Sequence, residues 1–171
     1  KTPAIGENGN WWIGNTDTGI YAGDAMPGQS ALLDFYPIGT PDGSRGYAVS
    51  AGRAKYLDDI VIPAEYKGAP VVAVEPNGFA DCTMRSVYIP STVTRIGAHA
   101  FENCANLSDL TIDLDGSLKA VGDRAFYGCT ALKRAIFEGS VETMGEEVFS
   151  ASEITQIYCG DAEKPAGWAD S

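Results

Sequence analysis

The sequence predicts an α/β, β-rich solenoid with short parallel strands and one-turn helices, capped by an N-terminal β-hairpin. The first observation is that residues 93–113 and 118–138 carry one shared pattern, aliphatic-x-x-aliphatic-Gly-x-x-Ala-Phe-x-x-Cys-x-x-Leu-x-x-apolar-x-apolar. The second is that the aromatic marker recurs at intervals of 22, 25 and 23 residues, at Phe79, Phe101, Phe126 and Phe149. This period is typical of stacked repeats, which bury their apolar faces against neighbouring copies. About four repeats are therefore expected.

Each repeat unit is expected to contain one strand and one short turn of helix. Leu107, Leu110 and Ile112 end a unit in the alternation of a strand with one buried face, and one such strand per repeat builds a parallel sheet. Ala100 and Phe101, with the cysteine that follows three residues after Phe, have helix-like spacing, which predicts a single helical turn. The glycine before this turn is expected to adopt a conformation closed to β-branched residues, at Gly97, Gly122 and Gly145.

The recurring residues resemble the BspA-type leucine-rich-repeat family. Its pattern, IPxxVxxIGxxAFxxCxxLxxVxI, is matched closely from about Leu57 to Tyr158. The resemblance implies a leucine-rich-repeat solenoid from a bacterial surface protein that engages host matrix proteins, host cells or other bacteria. The outer copies depart from the pattern, since Ser152 stands where the inner copies have Cys.

The chain is expected to divide into three regions. Residues 1–29 are a Trp-containing segment or tether, in which GNWWIGNTDTG resembles a GNWWIxxxDTG element found near the start of bacterial surface proteins. Its Trp11 and Trp12 either pin the segment onto the body or a neighbouring chain, or form a platform for sugar rings. Residues 30–56 flank a Pro-Asp-Gly turn with two apolar runs, which predicts a β-hairpin cap. Residues 57–171 hold the repeats and a C-terminal lid that includes Trp168.

Composition excludes several classes of partner. A net charge of −11 opposes binding to nucleic acid and adsorption to an anionic membrane, because both surfaces attract cationic proteins. The sequence has no apolar run of about 18 residues, so membrane insertion is not expected. Its N-terminal residues show no signal peptide, and an anchor upstream of Lys1 stays open. The oligomeric state also stays open.

The sequence predicts neither a catalytic site nor a cofactor. His99 is the one histidine, and its position is filled by Arg124 and Glu147 in the next copies, which is typical of solvated surface. Without further histidines or a Cys-x-x-Cys pair, a metal site is not expected, and Asp113-x-Asp115-Gly116 lacks the later ligands of a calcium loop. The Phe-linked cysteines favour a reduced buried stack, with a disulfide or a metal as the alternative.

The expected binding surface is the exposed face of the strands. The outward positions of successive strands form a polar column beside a column of Val, Tyr, Thr, Ile and Tyr. Aromatic and apolar side chains beside a polar rim are typical of contact surfaces, although strand propensity alone also favours these residue types. The hypothesis is non-catalytic recognition of a protein or glycan at the cell exterior, and the alternative is a structural spacer. The expected partner-binding residues are Val61, Tyr88, Asp109, Thr111, Arg134, Ile136 and Tyr158.

Overall fold

The structure is a computed structural model of the 171-residue chain. It describes residues 3–5, 10–13, 16–21, 29–40, 43–113, 118–137 and 141–159, and the structural statements below refer to these residues. For the ranges before residue 29, it describes the strands without their side-chain environment. The proposed lid with Trp168 lies outside the described residues.

Three strands near the N-terminus form a sheet of their own. They are β1 (Pro3–Ile5), β2 (Asn10–Ile13) and β3 (Thr16–Tyr21), paired antiparallel in the order β1-β2-β3. Trp11 and Trp12 lie in β2. The roles suggested for their side chains remain predictions.

The expected hairpin follows, and it extends a larger sheet. Strand β4 (Asp34–Gly39) pairs antiparallel with β5 (Arg45–Ser50). Between them Gly43 has a φ of 81°, in the region that glycine adopts without strain. Strand β4 is outermost and contains Pro37, which lacks an N–H and is tolerated at a sheet edge. A 3-10 helix over Gly52–Tyr56 then leads into the repeats.

Each repeat contributes a front strand and a back strand, and from β9 to β14 the front strands have four residues and the back strands two. The back strands continue the hairpin sheet in the order β14-β12-β10-β8-β5-β4, and β7 pairs with β8 at its side. From β8 to β14 all of these pairs along the stack are parallel. The back strands are β7 (Glu65–Tyr66), β8 (Ala69–Val74), β10 (Arg95–Ile96), β12 (Ala120–Val121) and β14 (Thr143–Met144).

The front strands are parallel as predicted, but residues 57–159, as far as the structure describes them, hold five and not about four. The additional one is β6, whose unit lacks the phenylalanine that marks the other repeats. Strands β6, β9 and β11 form one sheet, and β13 and β15 form a separate pair. The front strands are β6 (Asp59–Val61), β9 (Ser86–Ile89), β11 (Asp109–Ile112), β13 (Arg134–Phe137) and β15 (Gln156–Cys159).

The phenylalanine column runs through the core between the strands. Neighbouring rings of Phe79, Phe101 and Phe126 have centroids 5.2 Å apart, and the Phe126 and Phe149 centroids are 5.5 Å apart. The interplanar angles are 17° or less, so the rings stack in register along the whole column. The first three rings are fully buried and Phe149 is partly buried, since it lies at the end of the column. Aromatic stacking adds to the free energy gained by burying these rings.

The three Phe-linked cysteines are buried free thiols beside this column. The Cys104 Sγ donates to the Phe79 carbonyl oxygen at 3.0 Å, and the Cys129 Sγ donates to that of Phe101 at 3.1 Å. Each thiol therefore satisfies a buried carbonyl of the preceding repeat. Burial raises the pKa of the Cys129 thiol to about 12. The hydrogen bond to Cys82, together with burial, raises the pKa of the Cys104 thiol.

The predicted helical turn is wrong in detail, because GxxAFxxC forms consecutive tight turns. The Ala100 N–H donates to the Gly97 carbonyl and the Cys104 N–H to that of Phe101, three residues back in each case. His99 and Asn103 have φ values of 58° and 59°, which interrupt any helix. A helix does not form because alternate N–H groups bond to the next repeat and not within the segment. The Phe101 N–H, for example, donates to the Ala125 carbonyl of the next repeat at 2.8 Å.

The glycine before these turns is required for a different reason from the one predicted. None of Gly97, Gly122 and Gly145 has a positive φ. A Cβ on Gly122 would instead lie 2.5 Å from the Ala98 backbone nitrogen of the preceding repeat. Close approach of consecutive main chains therefore demands a residue without a side chain. The left-handed conformation falls two residues later, at His99, Arg124 and Glu147.

Candidate partner-binding face

The front strands present two columns of outward-pointing side chains, in the register that the sequence predicts. In β9, Val87 and Ile89 are buried whereas Ser86 and Tyr88 are partly exposed. The alternation repeats in β13, where Arg134 and Ile136 are the exposed residues. The two columns are Asp59, Ser86, Asp109, Arg134 and Gln156, and Val61, Tyr88, Thr111, Ile136 and Tyr158.

Val61 lies in the outward column as predicted, but it is buried, contrary to its predicted exposure. Its side chain is only 5% exposed. The segment before the hairpin covers it, and the Gln29 side chain binds the edge of β6. The Val61 N–H donates to Gln29 Oε1 at 3.1 Å, and Gln29 Nε2 donates to the Asp59 carbonyl at 2.8 Å. The carboxamide therefore occupies the place of a neighbouring strand's peptide group.

Tyr88 faces outward as predicted, but its hydroxyl is already engaged. The Tyr88 hydroxyl donates to Asp113 Oδ2 at 3.2 Å, across the end of β11. The ring is half-buried. Access to the front face therefore increases along the stack, from the covered Val61 to the open strands at the C-terminal end.

The exposed apolar side chains of the front face cluster on the last two strands. Ile136 is 38% exposed, and Tyr158, its register partner in β15, is 52% exposed. Ile157 occupies an inward position opposite the buried Ala135, yet it is 45% exposed because no described repeat stacks beyond β15. Ile136 and Tyr158 form the apolar part of the candidate face.

The front sheet is interrupted between β11 and β13, and we call the resulting groove the strand gap. Strand β11 pairs with β9 and β13 pairs with β15, but no ladder joins β11 to β13 within the described residues. The groove has a volume of about 530 Å³. The break falls in the 25-residue interval, the longest between phenylalanine markers. The lining residues are Ser108, Asp109, Leu110, Thr111, Ile112, Lys133, Arg134, Ile136, Thr155 and Gln156.

Four of the seven predicted binding residues therefore meet in one place. Asp109 and Thr111 line one wall of the strand gap, and Arg134 and Ile136 line the other. Val61, Tyr88 and Tyr158 are absent from its lining. Whether any of the seven binds a partner remains a prediction.

The two walls of the strand gap carry opposite charges. Asp109 is on the β11 wall, where its Oδ2 accepts a hydrogen bond from Ser108 Oγ at 2.7 Å. On the β13 wall, Lys133 forms an ion pair with Glu153, and this hydrogen bond lowers the pKa of the Glu153 carboxyl. Arg134 is exposed and has no carboxylate within 4.0 Å among the described residues.

Elsewhere the described side chains show no sign of a metal centre. No group of three or more His, Cys, Asp or Glu residues in the described part of the chain is arranged to hold a metal ion. His99 Nδ1 lies 2.6 Å from Glu102 Oε2 on the turn side of the repeat. No helix in the described ranges is long and apolar enough to cross a membrane.

Sequence reasoning missed two features of this face. Nothing in the sequence pattern pairs Gln29 with β6, because the contact joins residues about thirty positions apart. The strand gap was missed as well: the Asp-Leu-Asp-Gly-Ser insert and the 25-residue interval mark an irregular repeat, but they do not indicate a break between two front strands.

The parallel front strands, the stacked turns and the phenylalanine column define a leucine-rich-repeat solenoid. A family model confirms the class, because the BspA-type leucine-rich-repeat region matches residues 55–164 in six copies. The chain therefore belongs to the BspA-type leucine-rich-repeat family. No curated protein matches the chain.

Solved bacterial structures share this fold. The Treponema pallidum leucine-rich-repeat protein is 28% identical with a TM-score of 0.61, over 74% of this chain and 62% of that protein. A Bacteroides capillosus leucine-rich-repeat protein is 24% identical with a TM-score of 0.61, over 73% of this chain and 93% of its own. A leucine-rich cell-surface protein of Faecalibacterium prausnitzii is 21% identical with a TM-score of 0.50, over 79% of this chain and 42% of that one.

Proposed function

We propose that the chain is a non-catalytic recognition module of a bacterial cell surface, which binds a protein or glycan through the exposed front face. The observation that carries the proposal is the strand gap. It brings Asp109, Thr111, Arg134 and Ile136 into one groove on the face that the repeat pattern leaves open to solvent. A concave site with a few polar groups beside apolar ones is the usual form of a binding site.

The distribution of apolar surface supports a contact role for the C-terminal half of this face. Ile136 and Tyr158 are both more than a third exposed, and they are register partners on adjacent strands beside the polar Arg134 and Gln156. An apolar centre with a polar rim is the arrangement found in protein interfaces, where tyrosine often supplies much of the binding free energy. A surface without a partner gains nothing from leaving such residues in water.

The location at the cell surface rests on family and similarity. BspA-type repeats resemble those of bacterial surface proteins, and the Faecalibacterium neighbour is described as a cell-surface protein. The net charge of −11 supports partners other than nucleic acid or an anionic membrane.

The test is a binding screen against immobilised extracellular-matrix proteins and a glycan array. For any hit, Tyr158→Ala is compared with Tyr56→Ala, whose tyrosine is 75% exposed in the 3-10 helix before β6, at the other end of the stack from β15. We expect Tyr158→Ala to weaken binding at least tenfold and Tyr56→Ala to bind like the wild type, both with unfolding free energies within about 1 kcal/mol of the wild-type value. Equal loss in both variants would place the site elsewhere.

The alternative function is a structural spacer that presents or joins other modules. The open outer edge of β15 favours it, since within the described residues this strand pairs only with β13. Another repeat or module with a free strand edge would extend the sheet there. Absence of any hit on both arrays would favour the spacer.

A further inference from the structure

The strand gap exposes main-chain groups on both of its walls. In parallel strands, alternate residues direct both their N–H and C=O groups to the same neighbour. The Asp109 N–H donates to the Arg85 carbonyl just before β9, and the Asp113 N–H donates to the Ile89 carbonyl in β9. Because alternate residues face opposite neighbours, the main-chain groups of Leu110 point towards the strand gap. On the opposite wall, the Lys133 carbonyl accepts hydrogen bonds from the Thr155 and Gln156 N–H groups, at the start of β15. By the same alternation, the main-chain groups of Arg134 and Ile136 point towards the strand gap.

These groups would be joined if the sheet were continuous. The corresponding bond is present between β9 and the residue before β6, where the Ser86 N–H donates to the Asp58 carbonyl at 3.1 Å. No equivalent bond from Arg134 to Ser108 exists. The strand gap therefore presents a row of donors and acceptors with the spacing of a β-ladder. Such an edge is a template for another extended chain.

The first front strand shows how this sheet satisfies an open edge. At β6, the carboxamide of Gln29 accepts from the Val61 N–H and donates to the Asp59 carbonyl. A carboxamide has the same donor and acceptor geometry as a peptide group. The end of the sheet is thus closed by a peptide-like group from the chain itself, whereas no described residue serves the strand gap in this way.

The charge of the β13 wall indicates the character of the missing chain. Lys119, Arg124 and Lys133 each form an ion pair with a glutamate of the following repeat, whereas Arg134, like several other cations of the described residues, has no carboxylate within 4.0 Å there. What distinguishes Arg134 is its position, because it lies exposed on the wall of the strand gap, where a guanidinium can bind a carboxylate of an incoming chain.

We propose that the strand gap docks an extended, acidic polypeptide segment of a protein partner through main-chain hydrogen bonds, with Arg134 binding a carboxylate of that segment. The inference rests on the proposed function, since it specifies a protein as the partner and its segment as an added strand.

The strand gap must widen before a whole strand can bind between β11 and β13. Cα atoms of β11 and β13 come within 8 Å of one another. An added strand between two neighbours requires a separation of about 9.6 Å, twice the spacing of paired strands. The guest segment therefore pairs first with the β13 edge, where Arg134 lies, and the gap opens by a few ångströms as the second ladder forms.

The test uses a synthetic peptide and amide NMR spectra of the full chain. The probe is LSDLTID, acetylated and amidated, because this sequence (residues 107–113) already forms a parallel strand in the fold and carries two aspartates. We expect saturable chemical-shift changes at the amides of Leu110, Ile112, Arg134 and Ile136. The same peptide with N-methyl groups on alternate residues keeps its side chains but loses ladder donors, and should bind at least tenfold more weakly.

Protein variants separate main-chain docking from side-chain contact. Ile136→Pro removes an N–H that has no ladder partner in the fold, and Ile136→Val keeps it with a similar side chain. We expect the proline variant to bind LSDLTID at least tenfold more weakly, and the valine variant, which keeps the N–H, to lose far less affinity than the proline variant. Arg134→Gln should weaken binding severalfold, and a peptide with lysine for both aspartates should show the same loss on the wild-type protein.

Three outcomes would overturn the inference. One is equal binding of the N-methylated peptide or of Ile136→Pro. Another is a set of shifts outside the strand gap. The third is slow hydrogen exchange at the Leu110 and Arg134 amides of the free protein, which would show that the two edges are already joined. The proposed function is judged separately, by the array screen and Tyr158→Ala, neither of which uses the peptide.

Discussion

The turn side of the solenoid follows the repeat without interruption, whereas the front face does not. On the turn side, phenylalanine rings stack from Phe79 to Phe149 without interruption, and the back strands form one ladder from β8 to β14. On the front face the ladder stops at β11 and resumes at β13. A break on one side therefore leaves the stacking on the other side intact.

The difference shows which interactions hold the stack together. Close main-chain approach at Gly97 and Gly122, turn-to-turn hydrogen bonds and buried rings all join consecutive repeats on the turn side. These contacts leave no room for a side chain at the glycine positions, because an added Cβ would lie only 2.5 Å from a backbone atom of the preceding repeat. The front strands contribute a ladder that is interrupted at one step while the turn side stays intact, so the front face is the less constrained of the two.

The largest expected effect is at the centre of the phenylalanine column. Phe101→Ala should cost about 3–5 kcal/mol of unfolding free energy, since Phe101 stacks on Phe79 and Phe126 and is fully buried. The matched Phe149→Ala should cost about 1–2 kcal/mol, because this ring is partly exposed at the end of the column. Urea denaturation with unchanged m-values measures both. Equal losses of unfolding free energy in the two variants would show that the central ring contributes no more than the terminal one.

The next effect tests close approach on the turn side. Gly122→Ala should cost about 2–3 kcal/mol, because its Cβ would lie 2.5 Å from the Ala98 nitrogen and 2.8 Å from the Gly97 carbonyl carbon. Gly39→Ala is the control, since a Cβ there meets nothing within 4 Å, and should change stability by about 0.5 kcal/mol or less. Thermal melts of the two variants give the comparison. A tolerated Gly122→Ala would mean that the repeats are less tightly stacked than the structure shows.

The sequence could predict the turn side better than the front face. The Phe, Cys and Gly columns recur because each must fit the same neighbour in every repeat, so their periodicity indicates the solenoid and its register. The conformation of the turns was less predictable, since left-handed φ values fall on residues as different as His99, Arg124 and Glu147. Their N–H groups bond to the next repeat, and local spacing carries no information about such a partner.

The front face was predictable in its alternation and not in its accessibility. Arg134 and Ile136 point outward as the period of two requires, whereas Val61 is covered by a segment about thirty residues away. The strand gap follows from the relative displacement of two strands that each fit the repeat pattern. A sequence pattern specifies which face a side chain occupies, but the distance between neighbouring strands is set by packing across the whole stack.

The smallest effect distinguishes a paired strand from an open edge. Thr111→Pro should cost about 1–3 kcal/mol, because by the alternation in β11 the Thr111 N–H belongs to the ladder with β9. Ile136→Pro should cost about 0.5 kcal/mol or less, because the Ile136 N–H faces the strand gap, where it has no ladder partner. Urea denaturation of both variants measures the difference directly. If Ile136→Pro proved as costly as Thr111→Pro, β13 would be bonded to β11 in solution, and the front face would be as continuous as the turn side.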